Sequence, residues 1–349
     1  MNVLITGAGG FIGSFLVDSI SSDSKFNVYA LFSPWDQLKL RSKFNKNVQE
    51  IKIDISNTQN LNELFVRFSF DTVIHCAFIT DTSVQSQSVK KFDIEKVNIF
   101  SSIKLIELSV KYAVKRFVFF SSAGIYKNQR KDLLNCETDS IMLRNDYFKH
   151  KLAVEKSISN HKGLQDKTNF VILRLGTIFS ENESNSSTRP NTSLIHQLLY
   201  YYKKNNFIRL NDVSVFRDFF YIHNLTSLIH SILAIKKYDH LIYNVGSNQS
   251  FSVVDLFQVL SRNEINFNYY ITSKDKSDII VNSSQNRAPL NTKRIIDSFG
   301  FKANFSFEKG SSHHFNVFSG PRYRAAPLVQ DKVGTLNARQ LPHADQPPP

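Results

Sequence analysis

The first thirteen residues place a strand, a turn and a helix in an order that limits the fold more than any other feature. The apolar segment 2–6 reads as a strand, Gly7 and Gly10 lie in the turn that follows, and Gly13 lies in the amphipathic run after it. A helix that begins directly after such a turn points its free backbone N–H groups outward, where they can bind a pyrophosphate. We therefore predict a dinucleotide-binding βα unit here and not a glycine-rich surface loop.

Each glycine of this unit has a separate predicted task. Gly7 makes the tight turn, Gly10 lets a phosphate approach the backbone, and Gly13 lets the helix pack closely on its strand. Phe11 and Ile12 open the helix, and we count them with the glycines as predicted cofactor-binding residues.

The composition excludes several classes of protein. Of the 349 residues 42% are hydrophobic, which allows a sizeable core, and no apolar run reaches the roughly 20 residues that span a bilayer. The net charge of +13 is spread without a long basic run, so we expect no nucleic-acid partner, although a basic surface suits an anionic nucleotide diphosphate. The two cysteines and the lack of a signal-peptide pattern predict a cytoplasmic protein without a disulfide framework.

Strand and helix patterns alternate through the first half of the chain. Repeated βα units of this kind predict an α/β fold, a Rossmann-type doubly wound parallel sheet, with its ligand at the carboxyl ends of the strands. Residues 1–176 would form this dinucleotide-binding domain. The predicted strands cover 2–6, 26–32, 48–53, 71–76, 116–121 and 169–175, with helices near 11–22, 58–68, 94–113 and 145–160.

The pattern loosens after residue 176, and we predict a smaller C-terminal α/β substrate lobe over 177–310, interleaved with the first domain. Residues 311–349 hold six of the nine prolines and a single lysine, so we expect a tail that is disordered or foreign to the fold. The pair His313-His314 lies in this tail without other predicted ligands, and we predict no metal site. The lobe's predicted strands are 217–222 and 241–245, and its helices lie near 193–204, 224–236, 252–262 and 291–299.

A catalytic set of residues follows the strand at 116–121. The strand ends in paired serines, of which Ser122 is positioned to hydrogen-bond a substrate oxygen, and Tyr147 and Lys151 lie one helical turn apart. A free tyrosine has a pKa near 10, and a neighbouring ammonium favours the phenolate, so we expect Lys151 to make Tyr147 a usable base. The same spacing occurs at Tyr200 and Tyr270, but only Tyr147 follows a strand with this ending.

In this order, the motifs resemble the extended short-chain dehydrogenase/reductases, specifically the NAD-dependent epimerase/dehydratase family that acts on nucleotide sugars. The resemblance covers roughly residues 1–310 and implies that family's fold, a homodimer that pairs the helices near 94–113 and 145–160, and no membrane partner. The matching motifs are TGAGGFIG at 6–13, Asp54 after a strand, His75-Cys76-Ala77, Asn98, Ser122, Tyr147 with Lys151, and Arg217-Asp218-Phe219.

The resemblance also implies which residues hold the cofactor. Asp54 and Ile55 would lie beside the adenine, and Ala77 would line the cofactor groove. Asn98 would organise the active-site backbone, with a helix N-cap as the alternative role. Lys151, with Tyr147, would hold the nicotinamide ribose.

The implied substrate residues are fewer. Ser122 would hold the reacting sugar oxygen, and Arg217 would bind the substrate diphosphate, unless it only pairs with Asp218. Arg287 is a second candidate for the diphosphate. Thr177 stands where the family often has an asparagine that touches the sugar diphosphate, and a threonine offers fewer hydrogen bonds.

The choice between NAD and NADP depends on the end of the second strand. An acidic residue there hydrogen-bonds the ribose in NAD enzymes, but Phe32 stands at this place. Ser33, with Lys39 or Arg41 beyond it, could receive a 2′-phosphate, which favours NADP, while Asp36 leaves NAD open.

Two departures narrow the chemistry. Dehydratases of the family carry an acid just after the catalytic hydroxyl residue, and a GDP-fucose-forming branch carries a cysteine at the second position, but this chain has Ala123 and Gly124. The chemistry that these departures leave open is redox chemistry at one sugar carbon, C4. The leading hypothesis is a nucleotide-sugar epimerase that uses NAD or NADP. The alternatives are an NADPH-dependent 4-ketosugar reductase and a non-catalytic nucleotide-binding protein.

Overall fold

A computed structural model of the chain describes residues 1–34, 46–80, 94–161, 168–181, 183, 189, 191–262 and 268–319. Lys39, Arg41 and Asp36, which bear on the choice of cofactor, lie outside these ranges. Within them, no helix combines the length and the apolar character needed to cross a membrane.

The centre of the protein is a sheet of seven parallel strands. The strands are β1 (Asn2–Thr6), β2 (Asn27–Phe32), β3 (Val48–Lys52), β4 (Thr72–His75), β5 (Arg116–Ser122), β6 (Asn169–Leu175) and β11 (Ile242–Val245). Their order is β11-β6-β5-β4-β1-β2-β3, and every neighbouring pair is parallel. The order reverses direction between β1 and β4, which is where a doubly wound sheet opens a crevice for its ligand.

Helices cover both faces of this sheet because its strands are apolar on both sides. In β1, Val3 and Ile5 pack into one buried cluster with α1, whereas Leu4 packs into a second cluster on the opposite face. The helices are α1 (Phe11–Ser21), α2 (Thr58–Arg67), α3 (Ser101–Lys111), α4 (Asp146–Asn160), α5 (Leu194–Asn205), α6 (Ile222–Ala234), α7 (Val253–Ser261), α8 (Lys293–Phe299) and α9 (Phe307–Ser319).

The described part of the region after residue 176 contains six short strands outside the main sheet, and each pairs with one other strand. They are β7 (Thr177–Phe179) with β10 (Phe219–Tyr221), β8 (Ile208–Leu210) with β13 (Tyr269–Ile271), and β9 (Phe216–Arg217) with β12 (Phe251–Ser252). Thus the strand predicted over 217–222 is two strands separated by Asp218. Between β10 and β12, the chain contributes β11 to the main sheet.

The fold class is as predicted, and the strands and helices predicted in the first half lie within two residues of those observed, except that the helix predicted near 94–113 is divided into a π-helical turn, Lys96–Phe100, and α3. The start of the predicted tail is wrong. Helix α9 continues from Phe307 to Ser319, and Ser311 and His314 are fully buried in it. Its apolar residues contact the core, as Phe307 and Phe315 show. The polar composition of the segment concealed this helix because histidines and serines occupy part of its buried face.

Candidate active site

The glycine turn has the geometry expected of a phosphate-binding corner. Gly7 has a φ of +65°, and a Cβ atom there would lie 2.6 Å from the backbone nitrogen of Ala77. A Cβ atom on Gly13 would lie 2.1 Å from the carbonyl oxygen of Gly7, so only glycine lets α1 approach the turn this closely. A Cβ atom on Gly10 would meet only that same carbonyl, at 3.1 Å.

The N-terminus of α1 is open to an anion. Gly10 is its N-cap residue, no side chain caps the helix, and its first turn contains no acidic residue. The positive end of the helix dipole therefore faces outward beside Phe11 and Ile12. The guanidinium of Arg189, which pairs with Glu183 at 2.6 Å, lies 4.3 Å from the centre of the Phe11 ring. The sequence analysis did not include Arg189, which comes from a polar loop without a motif.

Buried hydrogen bonds fix the end of β4 against this turn. The Thr6 hydroxyl lies 2.7 Å from Nδ1 of His75 and accepts the backbone N–H groups of Cys76 and Ala77 at 3.2 Å. Nε2 of His75 lies 2.7 Å from the Ser102 hydroxyl. Burial lowers the pKa of His75 to about 3, so the ring is neutral. The motif at 75–77 thus positions Ala77 at the predicted cofactor groove.

Asn98 acts on the backbone and is not a helix N-cap. It is fully buried in a π-helical turn, Lys96–Phe100, that runs directly into α3. Its side-chain oxygen accepts the N–H of Ile79 at 2.7 Å, and its amide donates to the Ile79 carbonyl at 3.0 Å and lies 3.3 Å from Nδ1 of His150. Because His150 belongs to α4, Asn98 connects the segment after β4 to the helix of the predicted catalytic residues. Its role as a cofactor-binding residue stays a prediction.

Tyr147 and Lys151 lie on α4, whose first turn is capped by Asn145. The Lys151 ammonium is buried and donates to the Phe120 carbonyl at 2.7 Å. It lies 3.4 Å from the centre of the Phe78 ring and 5.6 Å from the centre of the Tyr147 ring. Burial lowers the pKa of Lys151 to about 7, although Cys76 and Glu155 favour the charged form.

The prediction that Lys151 lowers the pKa of Tyr147 is wrong for this structure. Burial raises the pKa of Tyr147 to about 12, and the opposing influence comes from Arg189. The Tyr147 ring packs edge-on against Phe78 and Phe148, which removes water from the phenol. The phenol is therefore protonated near neutral pH.

Ser122 stands at the carboxyl end of β5, where its hydroxyl accepts the N–H of Gly124 at 3.2 Å. This bond closes a short 3-10 turn over residues 123–125. A Cβ atom on Gly124 would lie 2.2 Å from Cζ of Phe148 and 3.2 Å from Nε of Arg287. The space beside Gly124 is thus filled by the ring next to Tyr147.

Three guanidinium groups lie close enough to influence one another, and that of Arg287 packs against this ring. Burial, together with the positive charges of Arg217 and Arg144, lowers the pKa of Arg287 to about 10, and burial lowers the pKa of Arg217 to about 10 as well. The Arg287 guanidinium lies 5.5 Å from the centre of the Phe148 ring. The backbone of Arg287 also donates to Phe216, the neighbour of Arg217 in β9. Arg217 and Arg287 were both predicted from the sequence as candidates for the substrate diphosphate, and that role stays a prediction.

Arg144 was missed by the sequence analysis. Its guanidinium donates to the carbonyls of Gly124 and Tyr126 at 3.2 and 2.8 Å, and to that of Lys127 at 2.9 Å. It therefore fixes the turn after Ser122 while adding positive charge near Arg287. A basic residue three positions before Tyr147 was the available signal.

The side chain of Asp218, the partner in the alternative role of Arg217, is bonded to other groups. The Asp218 carboxylate is buried and accepts hydrogen bonds from the backbone and hydroxyl of Ser247 and from the backbone of Leu290. Thr177 donates its backbone N–H to the Asp218 carbonyl at 2.7 Å, which places it next to β10. Its contact with a sugar diphosphate stays a prediction.

The adenosine end of the site is only partly described. Phe32 is fully buried in the core, so the partly exposed residue at the end of β2 is Ser33. After β3, the Asp54 carboxylate accepts the backbone N–H and the hydroxyl of Ser56 at 2.9 and 2.8 Å, and Ile55 is buried. The predicted roles of Ser33, Asp54 and Ile55 toward the cofactor stay predictions.

Comparisons with known proteins find similar epimerases. The mouse UDP-glucose 4-epimerase is 25% identical over 284 residues, which cover 74% of this chain and 81% of the mouse protein. Two solved structures share the fold: the UDP-glucose 4-epimerase of Thermotoga maritima with UDP-glucose (TM-score 0.75, 20% identity, 91% of this chain and 98% of that one) and that of Thermus thermophilus with NAD (TM-score 0.74, 20% identity, 92% and 100%).

A family model described as the NAD dependent epimerase/dehydratase family matches residues 3–246, about two thirds of the chain. The matched range includes the glycine turn, the Ser122, Tyr147 and Lys151 positions, and Arg217. The chain therefore belongs to the NAD-dependent epimerase/dehydratase family.

Proposed function

We propose that this protein is a nucleotide-sugar 4-epimerase that uses NAD or NADP. The single observation that carries the proposal is the group of three partly buried and mutually repelling arginines, Arg144, Arg217 and Arg287, of which Arg287 packs on the ring that follows Tyr147. The relatives named above, which are UDP-glucose 4-epimerases, support a uridine diphosphate sugar as the substrate.

Three mutually repelling cations that burial has partly desolvated favour an anionic ligand. The mutual repulsion lowers the pKa of Arg287, and a diphosphate would remove that repulsion by pairing with the same groups. Phe148 contacts both Tyr147 and Arg287, so a diphosphate held by the arginines would place the attached sugar toward Tyr147. The diphosphate and the reacting sugar would therefore bind next to each other.

The residues present also fit a dinucleotide. Gly7 and Gly13 leave no room for side chains between the turn and α1, and the uncapped helix N-terminus beside Gly10 suits a pyrophosphate. Lys151 and Tyr147 would hold the ribose of the nicotinamide half. When bound, the nicotinamide supplies the acceptor and donor of the hydride at the sugar carbon.

The chain's own groups would move the proton. In the oxidising direction, Tyr147 must first lose its own proton before it takes that of the sugar hydroxyl, and in the reducing direction the phenol gives its proton to the carbonyl oxygen. Ser122 hydrogen-bonds that oxygen and holds it near the phenol. The epimerase must let the keto sugar turn between these two steps, so that it returns with its other face exposed.

The decisive experiment is a comparison of two tyrosine variants. Nucleotide released from the purified protein is identified by chromatography, and UDP-sugars are tested for epimerisation with NAD and with NADP. Tyr147→Phe should lower turnover about 100-fold or more because it removes the proton donor and acceptor, with cofactor binding largely kept. Tyr200→Phe is the matched control, since Tyr200 also precedes a lysine by four residues. Undiminished turnover in Tyr147→Phe would overturn the proposal.

A 4-ketosugar reductase is the second candidate, and the raised pKa of Tyr147 favours it. A protonated phenol is the form that gives a proton to a carbonyl oxygen. Ser33 at the end of β2 also suits the 2′-phosphate of NADPH. Tightly retained NAD⁺ in the purified protein would support the epimerase, whereas weak and exchangeable NADPH would support the reductase.

The proposed assembly is a homodimer. It would pair the helices near 94–113 and 145–160, where Phe100 has 55% of its surface exposed. Sedimentation equilibrium of the wild type and of Phe100→Glu tests this pairing.

A further inference from the structure

A second cluster of chemically versatile side chains lies outside the proposed active site. Ligand atoms of Glu181, His223 and His313 all lie within 4.8 Å of one another. The three residues come from distant parts of the chain: Glu181 follows β7, His223 lies in the first turn of α6, and His313 lies in α9. The topology therefore builds this cluster from three separate elements.

Short polar contacts already connect the members of this cluster. Nε2 of His223 lies 3.1 Å from Oε1 of Glu181. The Tyr221 hydroxyl donates to Oε2 of Glu181 at 2.8 Å and lies 2.5 Å from Nδ1 of His313. One carboxylate oxygen and one nitrogen of each histidine thus lie within 4.8 Å of one another, with the Tyr221 hydroxyl beside them.

We propose that Glu181, His223 and His313 bind one divalent transition-metal ion of the Zn²⁺ class. Two imidazoles and one carboxylate form a ligand set that zinc accepts, with a fourth position for water or a hydroxyl oxygen. Zinc bonds of 2.0–2.1 Å in a tetrahedron separate neighbouring ligand atoms by about 3.3 Å. The separation of 3.1 Å between His223 and Glu181 already matches, and the exposed side chain of His313 can close the remainder by rotation.

The surroundings favour an ion at this place. The Glu181 side chain is buried, and its two carboxylate oxygens lie within hydrogen-bond distance of His223 and Tyr221. Aromatic rings enclose the histidines: Phe305 lies about as close to His223 as to His313, with ring centres 6.0 and 6.1 Å apart. His223 and His313 nevertheless remain accessible from solvent, which gives an ion a route of entry.

The ion would act as a structural clamp. It would join α9 to the first turn of α6 and to the segment after β7, and the ring of His223 also packs edge-on against Phe15 of α1. Metal binding that requires all three elements stabilises only the folded arrangement. The adjacent histidines differ in their surroundings, because His314 is fully buried whereas His313 belongs to the cluster.

Titration of the full chain with Co²⁺ tests the proposal. The protein is freed of any histidine tag and stripped with a chelator, and Co²⁺ is added while visible absorption and thermal unfolding are followed. We expect one Co²⁺ per chain, the absorption of a tetrahedral site, a raised Tm, and displacement by Zn²⁺. His313→Ala should weaken binding by more than about 100-fold, since even residues that only support ligands change affinity 10–100-fold.

His161→Ala is the matched control, because His161 does not belong to the cluster and its Nδ1 contacts the Ser157 carbonyl of its own helix. It should bind Co²⁺ as the wild type does. Glu181→Gln provides a second ligand variant if His313→Ala alters folding, which circular dichroism would reveal. The proposal is overturned if the wild type binds no Co²⁺ stoichiometrically, or if both ligand variants bind as tightly as the control.

Discussion

The ring of Phe148 occupies the space that a side chain at position 124 would need. Cζ and Cε1 of Phe148 lie 2.2 and 2.3 Å from the place of a Cβ atom on Gly124. Phe148 is 5% exposed and contacts Tyr147 edge-on, so the Phe148 ring cannot move without displacing Tyr147. The packing of α4 on the turn after β5 therefore leaves no room for a side chain at position 124.

This relationship predicts a strong coupling between the two positions. Gly124→Ala should destabilise the protein by about 1–3 kcal/mol through overpacking, and Phe148→Ala by about 3–5 kcal/mol through the cavity it leaves. In the double variant, the new methyl group enters that cavity, so the combined loss should be smaller than the sum. Urea unfolding of the four proteins measures the difference, and strictly additive losses would contradict the packing described here.

The arginine group predicts opposite effects on binding and stability. Arg287→Met removes one of three neighbouring cations, so it should weaken UDP binding about 10-fold or more, while the free protein loses some internal repulsion and does not become less stable. Calorimetric titration with UDP and thermal unfolding measure the two effects. Arg262→Met, at the end of α7, should leave UDP affinity unchanged, and equal affinities in both variants would exclude Arg287 from the diphosphate site.

The lowered pKa of Lys151 predicts a pH-dependent stability. Because its pKa is about 7 when folded and near 10.5 when unfolded, the unfolded chain binds the additional proton between these values, and the free energy of unfolding should rise with pH across this window. Lys151→Met removes this contribution. Between pH 7 and 10, wild type should gain up to about 1.4 kcal/mol per pH unit relative to the variant. A constant difference across the same range in urea unfolding would mean that Lys151 stays charged.

A buried ion pair below the site predicts a large loss of stability. The guanidinium of Arg174 binds both oxygens of Glu155 at 3.1 and 2.7 Å, and both side chains are 3% exposed. Glu155→Gln leaves the arginine charge buried without its counterion and should cost about 3–5 kcal/mol in urea unfolding. Asp297→Asn breaks the exposed pair with Lys293 and should cost less than about 1 kcal/mol. Similar losses in the two variants would contradict this account.

The local patterns of the sequence predicted most of the fold and the positions of the glycine turn and Tyr147. They could do so because strands such as β1 are apolar on both faces and because Gly7 and Gly13 are required by backbone contacts alone. These are properties of short segments, and short segments are what sequence periodicity reports.

Features that depend on distant contacts were not predictable in this way. The amide of Asn98 finds its partner at Ile79, and His313 finds Glu181 across 132 residues of chain, so neither role is visible in a local pattern. The pKa of Tyr147 was predicted from its spacing to Lys151, but burial by Phe78 and Phe148 determines it. Such burial is set by packing between elements.

The close contact between Gly13 and Gly7 gives the most direct test of the cofactor site. In Gly13→Ala, the new methyl carbon would lie 2.1 Å from the Gly7 carbonyl oxygen, which is backbone and cannot rotate away, so α1 must shift from the turn. Affinity for NAD or NADP should fall about tenfold or more, because the helix N-terminus no longer faces the pyrophosphate. Ser14→Ala, which loses only a bond to the Phe11 carbonyl, is the control. Fluorescence titration with both dinucleotides measures the change, and unaltered affinity in Gly13→Ala would place the pyrophosphate elsewhere.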